Sequence, residues 1–155
     1  MKKKENIKGH LKYLLQNCQT ALGELKRLNT ELKKAMQPDS GSEVDVNRIG
    51  ALHRMVQDYL IIRVAGLFDD KSYAVSFEQE FTKEKEYEDI KKEEIIRYLW
   101  KLRGNFVGHK HIKSIFPETD KILNSNLQNI FQKLDTIVRS KIDGHPTSQT
   151  IGFAR

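Results

Sequence analysis

The feature that most constrains the fold is a row of apolar residues, spaced alternately four and three positions apart, near the start of the chain. Its members are Ile7, Leu11, Leu14, Cys18, Ala21, Leu25, Leu28, Leu32 and Ala35. This is the a/d pattern of a helix that buries one narrow face. It predicts a helix from about 7 to 36, which is too long for a small globular core and therefore belongs to a bundle or a dimer.

Apolar periodicity predicts three further long helices, over about 45–68, 88–102 and 118–142, and a short helix within the charged segment "SFEQEF". Only three prolines and nine glycines interrupt the 155 residues, which favours helix over sheet. The expected fold class is all-α, an up-and-down bundle of about four long helices with a short irregular insertion and a flexible C-terminal tail. Residues 1–142 form a single helical domain in this interpretation, and 143–155 form the polar tail.

Positive charge is unevenly distributed along the chain. Residues 1–96 hold 17 Lys/Arg and 17 Asp/Glu, whereas residues 97–155 hold 10 and 4, which accounts for the whole net charge of +6. The stretch 97–117 has no acidic residue but contains five Lys/Arg and two His. Such a stretch indicates an anionic partner, with nucleic acid as the first candidate, although a solvated helix face has the same composition.

The single cysteine, Cys18, excludes an internal disulfide and fits a reducing, cytoplasmic setting. Its place in the first apolar row predicts a buried small hydrophobe rather than a nucleophile. The basic N-terminus lacks the apolar region of a signal peptide, and no apolar window is long enough for a membrane span. His109 and His111 have no third ligand nearby, so neither a metal nor another cofactor is expected.

The stretch "LRGNFVGHKH", residues 102–111, combines an arginine and a histidine with two glycines. On an unbroken helix, Arg103 and His109 would point about 120° apart. Gly104 and Gly108 permit irregular winding that brings both side chains to one edge. Arginine offers a planar fork of donors to phosphate, and histidine transfers protons near neutral pH.

These two side chains suit an RNA cleavage that needs no metal. The 2′-hydroxyl attacks the adjacent phosphate while a base removes its proton, an acid protonates the leaving 5′-oxygen and positive charge stabilises the transition state. One Arg and one His are too few for these roles, so we expect two copies across the two-fold axis of a homodimer. The first apolar row and Trp100 are the surfaces expected to form that dimer.

The same stretch, on the third of four helices, resembles the Arg-x(4–6)-His motif of the HEPN superfamily. The preceding "YLIIRVAGLFDD" is similar to the second-helix segment of its abortive-infection, AbiU-like branch. The resemblance covers roughly residues 45–140. It implies a dimerising helical bundle with two motifs at a shared cleft. In many members it also implies a metal-independent endoribonuclease that acts as a toxin or phage-defence effector.

Carried over to this chain, the resemblance makes Arg103 the phosphate-contacting residue and His109 the catalytic imidazole. An antitoxin or a nucleotidyltransferase is a further expected partner. The candidate substrate-binding residues are Asn105, Lys110, Lys113 and Arg97.

Other interpretations stay open. Gly104 directly follows Arg103, where the family commonly has Asn, and this favours a catalytically inactive helical module that binds RNA or protein. A structural adaptor that uses the first helix as a coiled coil is another alternative. In the plainest interpretation, Arg103 is a helix C-terminal arginine, Gly104 its C-cap and His109 a surface histidine.

Arg63 raises a separate question, because it lies beside the apolar face of the second helix. A charge among such neighbours needs a partner. We expect an ion pair with Asp58, Asp69 or Asp70, or else a functional role for Arg63.

Overall fold

The computed structural model describes residues 2–39, 41, 45–71, 75–106 and 115–142, and within these ranges the chain is all-α. α1 packs against α2 and α7, and α2 packs against α5, which gives the predicted helical bundle. The helices are α1 (Lys2–Ala35), α2 (Val46–Leu67), α3 (Phe77–Phe81), α4 (Lys85–Lys91), α5 (Glu94–Phe106), α6 (Ile115–Leu123) and α7 (Leu127–Ile142). None of the helices in these ranges combines the length and apolarity needed to cross a bilayer.

α1 buries its predicted apolar row inside the core of its own chain. Leu11, Cys18 and Leu25 are fully buried, and they join one cluster with residues of α2, α5 and α7. Burial raises the pKa of the Cys18 thiol to about 12, and the positive charge of Arg63 opposes this rise only in part. The prediction of a buried cysteine that is not a nucleophile is confirmed. α1 does not offer the free apolar surface that the dimer prediction assigned to it, nor the one that a coiled-coil adaptor would need.

α2 is apolar on two opposite faces. Its start is capped by Asp45, whose carboxylate accepts hydrogen bonds from the amides of Asn47 and Arg48 at 3.0 and 3.2 Å. The inner face is buried against the core and consists of His53, Gln57, Leu60, Ile61, Val64, Ala65 and Leu67. The outer face exposes Leu52, Met55, Tyr59 and Ile62.

The last two predicted long helices are each divided in two. The third is divided at Lys92 and Glu93, where the Lys92 amide bonds to the carbonyl of Asp89 and α4 ends. The fourth is divided at 124–126, where the Ser125 hydroxyl donates to the carbonyl of Ile122 at 2.6 Å and accepts the amide of Leu127 at 3.3 Å. Side-chain hydrogen bonds of this kind compete with helix continuation. The short helix predicted in the insertion is confirmed as α3.

α5 continues through Gly104 to Phe106, so the prediction that the third helix ends at Leu102 is wrong, and Gly104 is not its C-cap. A Cβ at Gly104 would meet no atom within 4 Å, so the glycine is not required by packing among the described residues. Residues 107–114 and 143–155 lie outside the described residues, and the predictions for Gly108 and for the C-terminal tail stay predictions.

Candidate functional site

Arg103 lies in the last turn of α5 and is fixed by an acid that follows α2. Its Nη2 is 3.0 Å from Oδ2 of Asp69, and the two side chains are 36% and 9% exposed. The other oxygen of Asp69 accepts the amide of Lys71 at 3.1 Å. Both oxygens of the carboxylate are thus engaged, and the guanidinium is held at the surface with further N–H donors remaining.

The charge state of Asp69 matches this arrangement. Burial acts to raise the pKa of its carboxyl, but the hydrogen bonds from Arg103 and from the Lys71 amide outweigh burial and lower the pKa. Asp69 is therefore ionised at neutral pH. It orients Arg103 and also compensates part of the positive charge of Arg103.

Trp100 lies one turn before Arg103 on α5 and is 42% exposed, so it does not fill the monomer core. The guanidinium carbon of Arg103 is 5.4 Å from the centroid of the Trp100 ring, which is within the range of a cation–π contact. An exposed indole beside an arginine is the kind of surface on which an unpaired nucleic-acid base stacks.

Arg97 has a structural contact in addition to its predicted substrate role. Its Nε and Nη2 donate to the carbonyl of Lys92 at 3.0 and 2.6 Å, which fixes the turn between α4 and α5. The side chain also borders a cavity of about 360 Å³ beside Trp100. The cavity is lined by Phe68, Asp70, Glu78, Lys91, Ile96, Arg97, Trp100 and Lys101.

Of the two acidic residues that line this cavity, Asp70 and Glu78, the carboxylate of Glu78 is already satisfied. Glu78 accepts hydrogen bonds from the Tyr87 hydroxyl at 2.6 Å and from Nζ of Lys91 at 2.9 Å. Burial acts to raise the pKa of Glu78, but these two donors outweigh burial and lower the pKa. This cluster joins α3 to α4 and supports the wall of the cavity.

The structure places only part of the predicted site. Arg103 and Arg97 are described, and Asn105 lies on α5. His109, Lys110 and Lys113 lie outside the described residues, so their predicted roles stay predictions. In the described ranges, no group of three or more His, Cys, Asp or Glu side chains is arranged to hold a metal ion.

Arg63 does not pair with the acids expected for it. Its guanidinium carbon lies 5.2 Å from the centroid of the Tyr59 ring, and the side chain is exposed. Within the described part of the chain, no carboxylate forms a salt bridge with Arg63. Asp69, one of its three expected partners, is paired with Arg103 instead.

A second polar cluster, which the sequence did not reveal, is buried between α1, α2 and α6. Nε2 of His53 is 3.3 Å from Oδ1 of Asn29 and 3.4 Å from the hydroxyl of Thr119, and that hydroxyl donates to Oε1 of Gln57. All four side chains are buried. The side-chain oxygen of Asn29 only accepts hydrogen bonds, so the tautomer with its proton on Nε2 fits this contact, and Nδ1 has no partner among the described residues. Burial, assisted by the charge of Lys33, lowers the pKa of His53.

No protein-family model, curated protein or solved structure matches this chain. The resemblance to the HEPN superfamily therefore depends on the residues themselves.

Proposed function

We propose that the protein is a metal-independent endoribonuclease of HEPN type, with Arg103 and His109 from two copies meeting at a homodimer interface. The observation that carries the proposal is the fixed, half-exposed Arg103. Asp69, which follows α2, orients it, and Trp100 lies beside it. The acid-free basic sequence leads to His109 three residues after the end of α5.

In this proposal the exposed donors of Arg103 bind the scissile phosphate, and Trp100 stacks an adjacent unpaired base. One His109 removes the 2′-hydroxyl proton as the 2′-oxygen bonds to phosphorus. The partner's His109 protonates the 5′-oxygen as its bond to phosphorus breaks. The products are a 2′,3′-cyclic phosphate and a 5′-hydroxyl, with no net change in protons.

The test compares labelled single-stranded RNA incubated with the wild type, His109→Ala and Arg103→Ala, all with EDTA present. We expect the wild type to cut and each variant to be slower by about 10²-fold or more, because a lost acid–base group or phosphate contact costs at least that much. His10→Ala is the matched control, since His10 is an exposed histidine on α1. Equal cutting by all four proteins would assign the activity to other residues.

A catalytically inactive RNA-binding module is the second candidate. Two observations favour it: Gly104 follows Arg103 directly, and Asp69 compensates part of the arginine charge. This module would bind RNA in a salt-dependent way without cutting it. In the same assay it predicts an inert wild type whose RNA affinity falls in Arg103→Ala.

The biological role proposed for the nuclease is that of a cytoplasmic toxin or phage-defence effector, controlled by an antitoxin or nucleotidyltransferase partner. Expression of the wild type in a bacterial host should then stop growth, and expression of His109→Ala should not. Normal growth with active, soluble wild type would contradict the toxin role and leave the cleavage chemistry unaffected.

A further inference from the structure

α2 carries an exposed apolar row, which we call the outer stripe and define as Leu52, Met55, Tyr59 and Ile62. These side chains are 40%, 66%, 37% and 40% exposed. Their spacing of three, four and three residues keeps them on one narrow face of the helix, and Gly66 continues the row four residues later. The outer stripe lies roughly opposite the buried inner face of α2.

A helix that is apolar on both faces usually has both faces covered. Single exposed apolar residues are ordinary, but a contiguous patch on the order of a few hundred Å² marks an interaction surface. The four side chains of the outer stripe, all of them large and one of them aromatic, form such a patch. An isolated chain leaves the patch in water.

We propose that the outer stripes of two copies pack against each other as a parallel pair of α2 helices, about a two-fold axis that runs along the helices. Such an interface uses the same surface of both copies, as a two-fold dimer requires. A standard interface buries about 800 Å² on each partner. The outer stripe supplies its apolar centre, and the flanking residues of α2 supply its rim.

The charges that flank the outer stripe select the parallel orientation. If the stripe residues take positions a and d of a heptad, Asp58 takes position g and Arg63 takes position e. In a parallel pair, each g residue meets the e residue five positions later on the other helix, so Asp58 meets the partner's Arg63. An antiparallel pair would instead bring position g to g and position e to e, so Asp58 and Arg63 would not meet and this attraction would be lost.

The surroundings of both charged residues fit this pairing. Arg63 is exposed and has no carboxylate partner in the described part of its own chain, and its stacking on Tyr59 directs it along the stripe. Asp58 is half-buried, and burial together with the negative charge of Glu118 raises the pKa of its carboxyl despite the nearby Arg54. A second cation from the partner would stabilise the ionised form of Asp58.

The orientation determines where the two candidate sites lie. Asp69 and its partner Arg103 are at the C-terminal end of α2, so a parallel pair brings both Arg103 residues to the same end of the dimer. Packed helix axes are about 8–10 Å apart. An antiparallel pair would separate the two ends by the length of α2, roughly 33 Å for 22 residues. The composite site, unlike the pairing itself, depends on the proposed nuclease function.

The first experiment measures mass by light scattering at micromolar concentration. The wild type should have twice the chain mass of 18.1 kDa, and the double variant Met55→Lys/Ile62→Lys should have the single mass with unchanged helical circular dichroism. Tyr13→Lys is the matched control, because Tyr13 is an exposed apolar residue of α1 outside the stripe, and it should remain dimeric. A monomeric wild type would overturn the proposal, and the outer stripe would then be a candidate surface for binding a different protein. A dimeric double variant would also overturn it.

The second experiment determines orientation by disulfide formation. Gly66→Cys tolerates a side chain, since a Cβ there meets no atom within 4 Å, and the native Cys18 is fully buried and cannot compete. In a parallel pair, equivalent residues of the two copies lie side by side. Gly66→Cys alone and Leu52→Cys alone should therefore each form a disulfide between the two copies on oxidation. Cross-linking only in a mixture of the two variants would mean an antiparallel pair and overturn the proposal, as would no cross-linking at all.

The third experiment tests the charge pairing. Asp58→Arg should raise the dimer dissociation constant by roughly tenfold, because two attractive pairs become repulsive. The double variant Asp58→Arg/Arg63→Asp should restore wild-type association, and failure to restore it would contradict the parallel register. None of the three experiments uses RNA, so they test the interface separately from the nuclease. If the dimer forms as proposed but does not cut RNA, the proposed nuclease function is wrong and the proposed interface stands.

Discussion

α1 and α2 both carry apolar residues at alternating spacings of three and four, but the two rows have different surroundings. The row on α1 includes Leu25 and is buried by α2 and α7, while the outer stripe of α2 includes Leu52 and faces solvent in a single chain. The spacing alone therefore shows that a face needs covering, and only the packing shows what covers it. α1 holds the chain together, and we infer that α2 holds two chains together.

The largest difference between the two rows should appear in the matched variants Leu25→Ala and Leu52→Ala. Leu25 is fully buried, so its truncation should lower the free energy of unfolding by about 2–5 kcal/mol. Leu52 is well exposed, and its truncation should change the unfolding of the single chain by only about 0.5 kcal/mol while weakening the dimer. Urea unfolding at protein concentrations below the dimer dissociation constant measures the free energy of unfolding of both variants. Equal losses of stability would show that the two rows do not differ in burial.

The inner face of α2 should show a pH dependence that the outer stripe lacks. The pKa of His53 is lowered in the folded chain, so the unfolded chain binds a proton first as pH falls below about 6.5. Stability should fall between this value and the lower folded pKa, by at most about 1.4 kcal/mol per pH unit. His53→Gln should flatten this slope, and His10→Gln, at an exposed site, should not. An unchanged slope in His53→Gln would exclude His53 as its source.

Asp69→Asn tests the contact that joins the end of α2 to the candidate site. The substitution should lower the free energy of unfolding by only about 1 kcal/mol at pH 7, because Arg103 is partly exposed and its ion pair is screened. The lowered pKa of Asp69 means that this contribution disappears as pH falls below about 3.8 and through the folded value. Asp70→Asn makes the same change at the next, exposed acid and should have almost no effect. Equal losses in the two variants would show that the Asp69–Arg103 pair is not specific.

The smallest expected effect concerns the surface beside His53. Nζ of Lys33 lies 2.7 Å from Oδ1 of Asp120, and both side chains are about half exposed, so Lys33→Ala should cost under about 1 kcal/mol. Because the charge of Lys33 helps to lower the pKa of His53, the variant should also raise that pKa slightly. NMR titration of the His53 ring measures the shift, with Lys34→Ala as control. A shift in the opposite direction would contradict the electrostatic assignment.

Much of the fold could be predicted because local patterns determine it. Apolar periodicity predicted α2 to within one residue at each end. It predicted the end of α1 equally well, although α1 begins five residues earlier than predicted. The divisions of the last two predicted helices depended on hydrogen bonds that periodicity does not report, such as those of Arg97 to the Lys92 carbonyl. The division between α6 and α7 did have a local signal in the sequence, because Ser125 lies between two asparagines and such side chains compete with helical hydrogen bonds.

The candidate site could be predicted only in part, because its contacts join distant segments. The motif identifies Arg103, but its partner Asp69 lies 34 residues away and is one of the three acids that the sequence assigns to Arg63. The buried cluster around His53 joins α1, α2 and α6, and no spacing within one helix reveals it. The outer stripe was present in the sequence, but its exposure depends on which face of α2 the core occupies.

One comparison tests the proposed α2 dimer and the proposed Arg103/His109 site together. It compares RNA cleavage by the wild type and by Met55→Lys/Ile62→Lys at equal chain concentration, with EDTA present. Neither substitution changes Arg103 or His109 themselves. A composite site therefore predicts that the monomeric variant cuts more slowly by about 10²-fold or more, as expected when the acid or the base is missing. Cleavage at the wild-type rate by a variant confirmed to be monomeric would contradict the composite site.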